Sequence, residues 1–143
     1  MTVSETLLQI RAFSGVGYRP LIAYGEWRLA FLRYIDELLP QNLHHMQRHE
    51  RTDEVFVLLA GHCILFLEAG GGQVSPIQAC DMQPMQLYNI KKGCYHTHTL
   101  SPDAVVLIIE NEDTNDDNSP CQTLTAAQTA EVISLTRSLW PES

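Results

Sequence analysis

The sequence predicts an all-β fold, a sandwich or closed barrel of short strands followed by one C-terminal helix. Three observations support this. Short runs rich in branched and aromatic residues recur along the middle of the chain, separated by turns that contain Gly or Pro. The run Ala104–Glu110 is apolar on both faces, which indicates a strand in the middle of the fold. After Thr125 the apolar residues recur at helical spacing.

The first half of the barrel is predicted from residues 27–73. Trp27–Ile35 is typical of a strand, and Asn42–His49 reads as extended chain. Val55–Ala60 and Cys63–Leu67 flank the pair Gly61-His62, a pattern that predicts a β-hairpin. The glycine cluster of Ala69–Gln73 predicts a loop.

The second half of the barrel continues from Met85 to Glu110. Met85–Ile90 and Cys94–Leu100 are predicted strands joined by a turn at Lys91-Lys92-Gly93. The barrel core therefore spans about residues 27–110. A helix at about 125–140 begins with Thr125 and Gln128 in the pattern of a capping box, and we expect it to pack on the outside of the barrel or on a partner chain.

Length, charge and cysteine content restrict the class of protein. At 143 residues the whole chain, 1–143, is expected to form one domain. A net charge of −8 with only 9 basic residues argues against nucleic acid and anionic membranes as partners. The chain starts without a secretory signal and has no apolar run long enough to span a membrane, so we expect a cytoplasmic protein with reduced cysteines.

Histidines and one carboxylate mark the candidate site. Side chains alternate across a strand, so His45, Gln47 and His49 share one face, and His96 and His98 share a face of a later strand. With Glu54, His49 and His96 could form a facial set of ligands for one divalent metal. On spacing alone, His49 and Glu54 could equally be solvated at a strand edge. His45 and His98 could be plain core residues, groups behind the ligands, or pocket groups. His98 could also carry a proton, because a free imidazole titrates near pH 6.5.

The spacing of these residues resembles the two sequence motifs of the cupin superfamily. The first motif runs Gly, five residues, His-x-His, three or four residues, Glu, six residues, Gly; His49, Glu54 and Gly61 match it. Gln41 and Gln47 stand where its first glycine and first histidine are expected. The second motif runs Gly, five residues, Pro-x-Gly, two residues, His, three residues, Asn, and Gly93 and His96 match it. Its glycine, proline and asparagine are replaced by Met85, Lys91 and Leu100.

The resemblance implies a double-stranded β-helix, the jelly-roll barrel of small single-domain bacterial cupins. It also implies one divalent ion (Zn, Fe, Mn or Ni) held by His49, Glu54 and His96, with Gln47 at the fourth ligand position. Cupins include enzymes, sugar-binding domains and storage proteins, so the fold does not select a reaction. Two histidines and one carboxylate leave positions on the metal open for a substrate, so we expect a metal-dependent enzyme acting on a polar small molecule such as a sugar or keto acid. The alternatives are a non-catalytic module that binds a metabolite or metal, and a structural protein with a degenerate site.

A homodimer is also expected from the resemblance, since cupin barrels commonly pair and most soluble oligomers are symmetric dimers. The apolar N-terminal segment Leu7–Ile22 lies outside the motif region and is the predicted interface.

Overall fold

The computed structural model describes residues 2–68 and 76–142, which contain ten strands and one α-helix. This confirms the prediction of an all-β fold with a C-terminal helix. The predicted loop at 69–73 lies outside the described residues. The strands are β1 (Gly17–Tyr24), β2 (Trp27–Arg33), β3 (His45–Gln47), β4 (Glu54–Ala60), β5 (Cys63–Glu68), β6 (Gln78–Asp81), β7 (Tyr88–Ile90), β8 (Tyr95–Leu100), β9 (Val105–Asn111) and β10 (Cys121–Thr123), and the helix is α1 (Ala126–Leu139).

The strands form two antiparallel sheets of five. The first sheet has the order β1-β2-β9-β4-β7 and the second the order β10-β3-β8-β5-β6. The doubly apolar run of β9 lies at the centre of the first sheet, as predicted. Both sheets extend beyond the expected 27–110 core, because β1 adds an edge to the first sheet and β10 an edge to the second.

The predicted hairpin of β4 and β5 is wrong, because these consecutive strands lie in different sheets. β4 pairs with β7 and β9, whereas β5 pairs with β6 and β8. The turn at Gly61 therefore carries the chain from one sheet to the other. Gly61 has a φ of +68°, and a Cβ added there would lie 2.6 Å from the Cα of Ala104. Gly61 is thus required for two reasons: its backbone is left-handed, and the backbone of Ala104 passes too close to leave room for a side chain.

Two apolar clusters hold the sheets and the helix together. The first fills the space between the sheets and includes Phe56 and Ile108 from the first sheet and Leu65 from the second. The second lies on the outer side of the second sheet, where Ile64 and Phe66 pack beneath α1. The helix begins as predicted: the Thr125 side chain accepts from the Gln128 N–H, and Gln128 caps Thr125 in return.

Three predicted extended segments are shorter in the structure than the sequence suggested. β2 ends at Arg33, and only His45–Gln47 is a strand within the 42–49 segment. Met85 has a positive φ of 66°, which β-structure does not accommodate, and the next strand begins only at Tyr88.

All four cysteines are free thiols. No helix in the described ranges combines the length and apolar character needed to cross a membrane.

Candidate metal centre

Three predicted ligands meet at one point between the two sheets. His49 Nε2 lies 3.2 Å from Glu54 Oε2, and His96 Nε2 lies 3.0 Å from Glu54 Oε1. One ligand atom from each residue falls within 4.8 Å of the other two. All three residues are buried, with relative exposures of 5–7 %. The structure therefore brings together the His49, Glu54 and His96 set that the sequence motifs suggested.

The backbone holds each of these residues in place from a different direction. Glu54 is the first residue of β4, and His96 lies in β8 directly opposite Gln47 of β3. His49 follows β3, and its carbonyl accepts a 2.8 Å hydrogen bond from the N–H of Gly93. The turn that precedes β8 is thereby tied to the segment that carries His49.

Contacts on the far side of each imidazole orient the two rings. His96 Nδ1 lies 3.1 Å from the carbonyl oxygen of Cys94, so this nitrogen carries a proton and donates it. His49 Nδ1 lies 2.7 Å from the hydroxyl of Ser119, and that hydroxyl donates to Asn118 Oδ1 at 3.1 Å. The single hydroxyl proton of Ser119 is thus committed to Asn118, and His49 Nδ1 must also be the donor.

Asn118 is itself fixed, because its amide nitrogen donates to the Asp113 carbonyl and its oxygen accepts from the Asn115 N–H. In their neutral forms both imidazoles therefore present an Nε2 lone pair toward Glu54. Hydrogen bonding of the second ring nitrogen is the usual arrangement of metal-binding histidines. Two nitrogen lone pairs and one carboxylate are directed at the same point, and this donor set fits a divalent transition metal.

Without a metal, proton sharing satisfies the buried charges of this cluster. Burial opposes ionisation of Glu54, but hydrogen bonds from His49, His96 and Glu110 outweigh it and hold the pKa of Glu54 well below its usual range. Burial likewise opposes the charged form of His49, yet the hydrogen bond and negative charge of Glu54 raise the pKa of His49. Metal binding must displace this proton from Nε2.

The cluster faces a cavity of about 320 Å³. Phe56 and Ile108 form part of an apolar wall. Most other lining groups are polar, and several come from strands and loops far from the motifs: Tyr18, Arg28, Gln47, His98, Glu110, Thr114, Asn115, Asp116 and Ser119. A volume of this size is typical of small-molecule sites.

Glu110 is a buried second carboxyl group that the sequence did not single out. Its Oε1 accepts from the Tyr18 hydroxyl and from Arg28 Nε and Nη2, the latter two at 3.1 and 2.9 Å. Burial, together with the neighbouring Glu54 carboxylate, raises the pKa of Glu110 to about 7. Below about pH 7 the two carboxyl groups thus hold one proton, which sits on Glu110 while Glu54 is ionised.

The remaining predicted site residues fall in different places. Gln47 lines the cavity, and its Nε2 donates to the Ser119 carbonyl at 2.9 Å. His98 also lines the cavity, but burial lowers its pKa to about 4, so it is neutral at the pH where the proton-carrier hypothesis needed it to titrate. His45 is exposed and does not line this cavity. Cys94 is close to His96 in sequence but was not among these predicted residues, and its thiol points away from the cluster to the carbonyls of Glu68 and Tyr95.

A second cavity of about 510 Å³ adjoins the first and contains His45. Gln47, His96 and His98 line both cavities and so form the wall between them. β3 and β8 pair only at Gln47 and His96, and this single pair leaves room for the second cavity.

Known structures share this architecture, although sequence comparison finds no relative. No protein-family model matches the chain, and no curated protein matches it in sequence. Pac13 of Streptomyces, described as a nucleoside dehydratase, has a cupin fold and superposes with a TM-score of 0.55 at 7% identity, covering 83% of this chain and 88% of Pac13. This chain has a cupin fold.

Two further structures are similar to this cupin barrel. Protein NMB1881 from Neisseria meningitidis has a TM-score of 0.50 at 11% identity over 71% of this chain and 90% of its own. A cupin-2 domain protein from Shewanella frigidimarina has a TM-score of 0.49 at 19% identity, covering 70% of this chain and 85% of its own. At such identities the likeness concerns the fold alone.

Proposed function

We propose that this cupin binds one divalent metal ion through His49, Glu54 and His96 and acts as a metal-dependent enzyme on a polar small molecule. The observation that carries the proposal is the convergence of two oriented imidazoles and a buried carboxylate on the wall of a polar cavity. A structure with the same fold is described as a nucleoside dehydratase, which supports the view that such a cavity can be an active site.

Gln47 is proposed as the fourth ligand. Its amide nitrogen is used by the Ser119 carbonyl, so the side-chain oxygen is the atom left to bind a metal. An amide oxygen is a weaker donor than an imidazole, which suits a site that exchanges or orients its metal more loosely than one with three histidines. Nitrogen and oxygen donors in this ratio are compatible with Zn, Fe, Mn or Ni.

The substrate is proposed to be a compact molecule with several oxygens, such as a sugar or a keto acid. A bound divalent ion supplies Lewis acidity toward such oxygens. The protein's own groups act on the rest of the molecule: Glu110 lies next to Glu54 as a group that can hold or accept a proton. Arg28 and Tyr18 fix the orientation of that carboxyl group. His98 presents a neutral imidazole for hydrogen bonding, and Phe56 forms an apolar part of the cavity wall.

Metal analysis followed by reconstitution tests the proposal. Protein purified without chelators should contain close to one equivalent of a transition metal, and His96→Ala and Glu54→Ala should each remove it. His62→Ala is the matched control, because this histidine is exposed on the turn between β4 and β5. The loaded protein is then assayed against panels of sugars and keto acids. Turnover that persists at full rate in both ligand variants would contradict the assignment.

A non-catalytic binding module is the second proposal, and one observation favours it. Both imidazoles lie within hydrogen-bond distance of the Glu54 carboxylate, so direct contacts already hold the three side chains together without an ion. Calorimetric titration with the same panels, combined with product analysis, separates the two functions. Uptake of a ligand without conversion would support the binding module.

We also propose a cytoplasmic location, supported by the four free thiols.

A further inference from the structure

The second cavity lies where the second sheet opens between two of its strands. β3 and β8 pair at Gln47 and His96, and beyond that pair β3 stays with β10 on its other side. The two strands therefore separate toward His45 and His98. Both faces of β8 contribute to the cavity wall, since Thr97 points the opposite way from its two neighbours. The cavity is thus an opening through the sheet rather than a groove on one side of it.

The segment 36–43 closes the far side of this opening. The Thr99 hydroxyl of β8 donates to the Leu38 carbonyl at 2.6 Å, which ties the segment to the strand. Leu38 also lines the cavity as an apolar group, and Asp36 and Glu37 line it as exposed carboxylates at its rim. A ligand in the cavity would therefore contact both an apolar surface and negative charge.

His98 supplies a polar atom that is open to a ligand. Its Nδ1 is buried and has no hydrogen-bond partner in the parts of the chain that the structure describes. The other two residues shared by both cavities are already engaged: Gln47 Nε2 donates to the Ser119 carbonyl, and both His96 ring nitrogens lie within hydrogen-bond distance of neighbouring groups. A buried polar atom without a partner is costly, so a ligand that bonds to His98 gains affinity.

The charges around the two cavities select the kind of ligand. Neither Lys nor Arg occurs among the described residues that line the second cavity. Arg28, the basic residue of the first cavity, donates four hydrogen bonds within the protein, two to Glu110 and two to backbone carbonyls of the 112–114 segment. Apart from a bound metal, a carboxylate or phosphate on a ligand would thus meet no free cation among the described lining residues. An ammonium group would meet Asp36 and Glu37, and oppositely charged groups form the stronger hydrogen bonds.

We propose that the second cavity binds the end of the substrate remote from the metal, and that this end bears an ammonium group. The substrate is then an aminated polar molecule, such as an amino sugar, rather than a keto acid. A cavity of about 510 Å³ is large enough for a group of this size. The identification of the ligand as the substrate rests on the proposed function, whereas the preference of the cavity for a cation does not.

NMR titration of protein with labelled histidines tests the cavity with three probes. Glucosamine, glucose and glucuronate share a ring but carry a positive, no and a negative charge. Metal-free protein, kept in a chelator, should bind protonated glucosamine about fivefold more tightly than glucose, and glucuronate least, because two exposed carboxylates contribute. The imidazole signals of His45 and His98 should shift on binding. The preference should shrink at high salt, which screens exposed charges.

A charge-removing variant completes the test. Asp36→Asn combined with Glu37→Gln should abolish the preference for glucosamine and leave metal binding unchanged, and both positions are exposed, so the variant should fold. Glu26→Gln is the matched control, because Glu26 is exposed on the turn between β1 and β2 and lines neither cavity.

Three results would overturn the inference: equal affinity for glucosamine and glucose, a preference that survives in the double variant, or histidine signals that glucosamine does not move. The proposed enzyme fails separately. A protein that prefers glucosamine but takes up no metal would contradict the enzyme and support the cavity assignment, whereas metal uptake without the preference would contradict the cavity assignment alone.

Discussion

Replacing Ser119 with alanine should weaken metal binding although Ser119 is not a ligand. Its hydroxyl accepts from His49 Nδ1 at 2.7 Å, and both residues are buried. Without it, the His49 ring loses the contact that selects its tautomer and its rotation. Loss of one neutral hydrogen bond costs about 1 kcal/mol, or roughly fivefold in affinity. Loss of ring orientation adds to this, so we expect metal affinity to fall by about 10- to 100-fold.

Competition with a chromophoric zinc chelator near neutral pH measures this change directly. Ser138→Ala is the matched control, because Ser138 is exposed on the helix and the same atoms are removed. A dissociation constant for Ser119→Ala within about twofold of the wild type would refute the reasoning, provided that His96→Ala abolishes binding in the same assay. The Asp113–Asn118–Ser119–His49 chain would then have no part in preparing the ligand.

Two further predictions concern the stability of the metal-free protein. Glu110 has a pKa of about 7 in the folded state against 4.5 for a free carboxyl group, so folded protein binds more protons between these values. The stabilising contribution of Glu110 to the free energy of unfolding is therefore complete at low pH and is lost as the pH rises toward 7. Urea unfolding in the presence of a chelator should show this decline. Glu110→Gln, which cannot ionise, should make the free energy of unfolding depend less on pH. A slope unchanged in Glu110→Gln would contradict the assignment. Gly61→Ala should destabilise the fold by about 3 kcal/mol or more, because the left-handed backbone disfavours a side chain and the new Cβ would meet the Ala104 backbone. Gly25→Ala, with a φ of +58° and open space around its Cβ, should cost only about 1–2 kcal/mol in thermal or urea unfolding, and equal losses would show that the close approach is unimportant.

The meeting of His49, Glu54 and His96 could be predicted from the sequence because their spacing resembles the two cupin motifs. Spacing alone left a solvated strand edge equally open for His49 and Glu54, and the resemblance supplied the convergence with His96. Ser119 and Glu110 could not be predicted in this way. Ser119 reaches His49 across 70 positions, and Tyr18 reaches Glu110 across 92. No repeating pattern of residues marks either contact, since each depends on which strands become neighbours in space.

The hairpin error has the same physical origin. Two apolar runs around a glycine turn look the same in the sequence whether the strands pair with each other or face each other across the core, because β4 buries side chains between the sheets in both arrangements. What separates the two is the pairing with β8 and β9, which lies in a later part of the sequence. Gly61 marks the turn in either arrangement.

The separation of β4 and β5 into opposite sheets has a consequence for biosynthesis. During translation β4 emerges well before its partners, which come from residues 88–111, and β5 likewise waits for β8. A nascent chain that has produced His49 and Glu54 still lacks His96, and then Ser119. Neither sheet can assemble from a contiguous stretch, so closure requires slow, long-range pairing. Metal capture should thus begin only when nearly the whole polypeptide has left the ribosome.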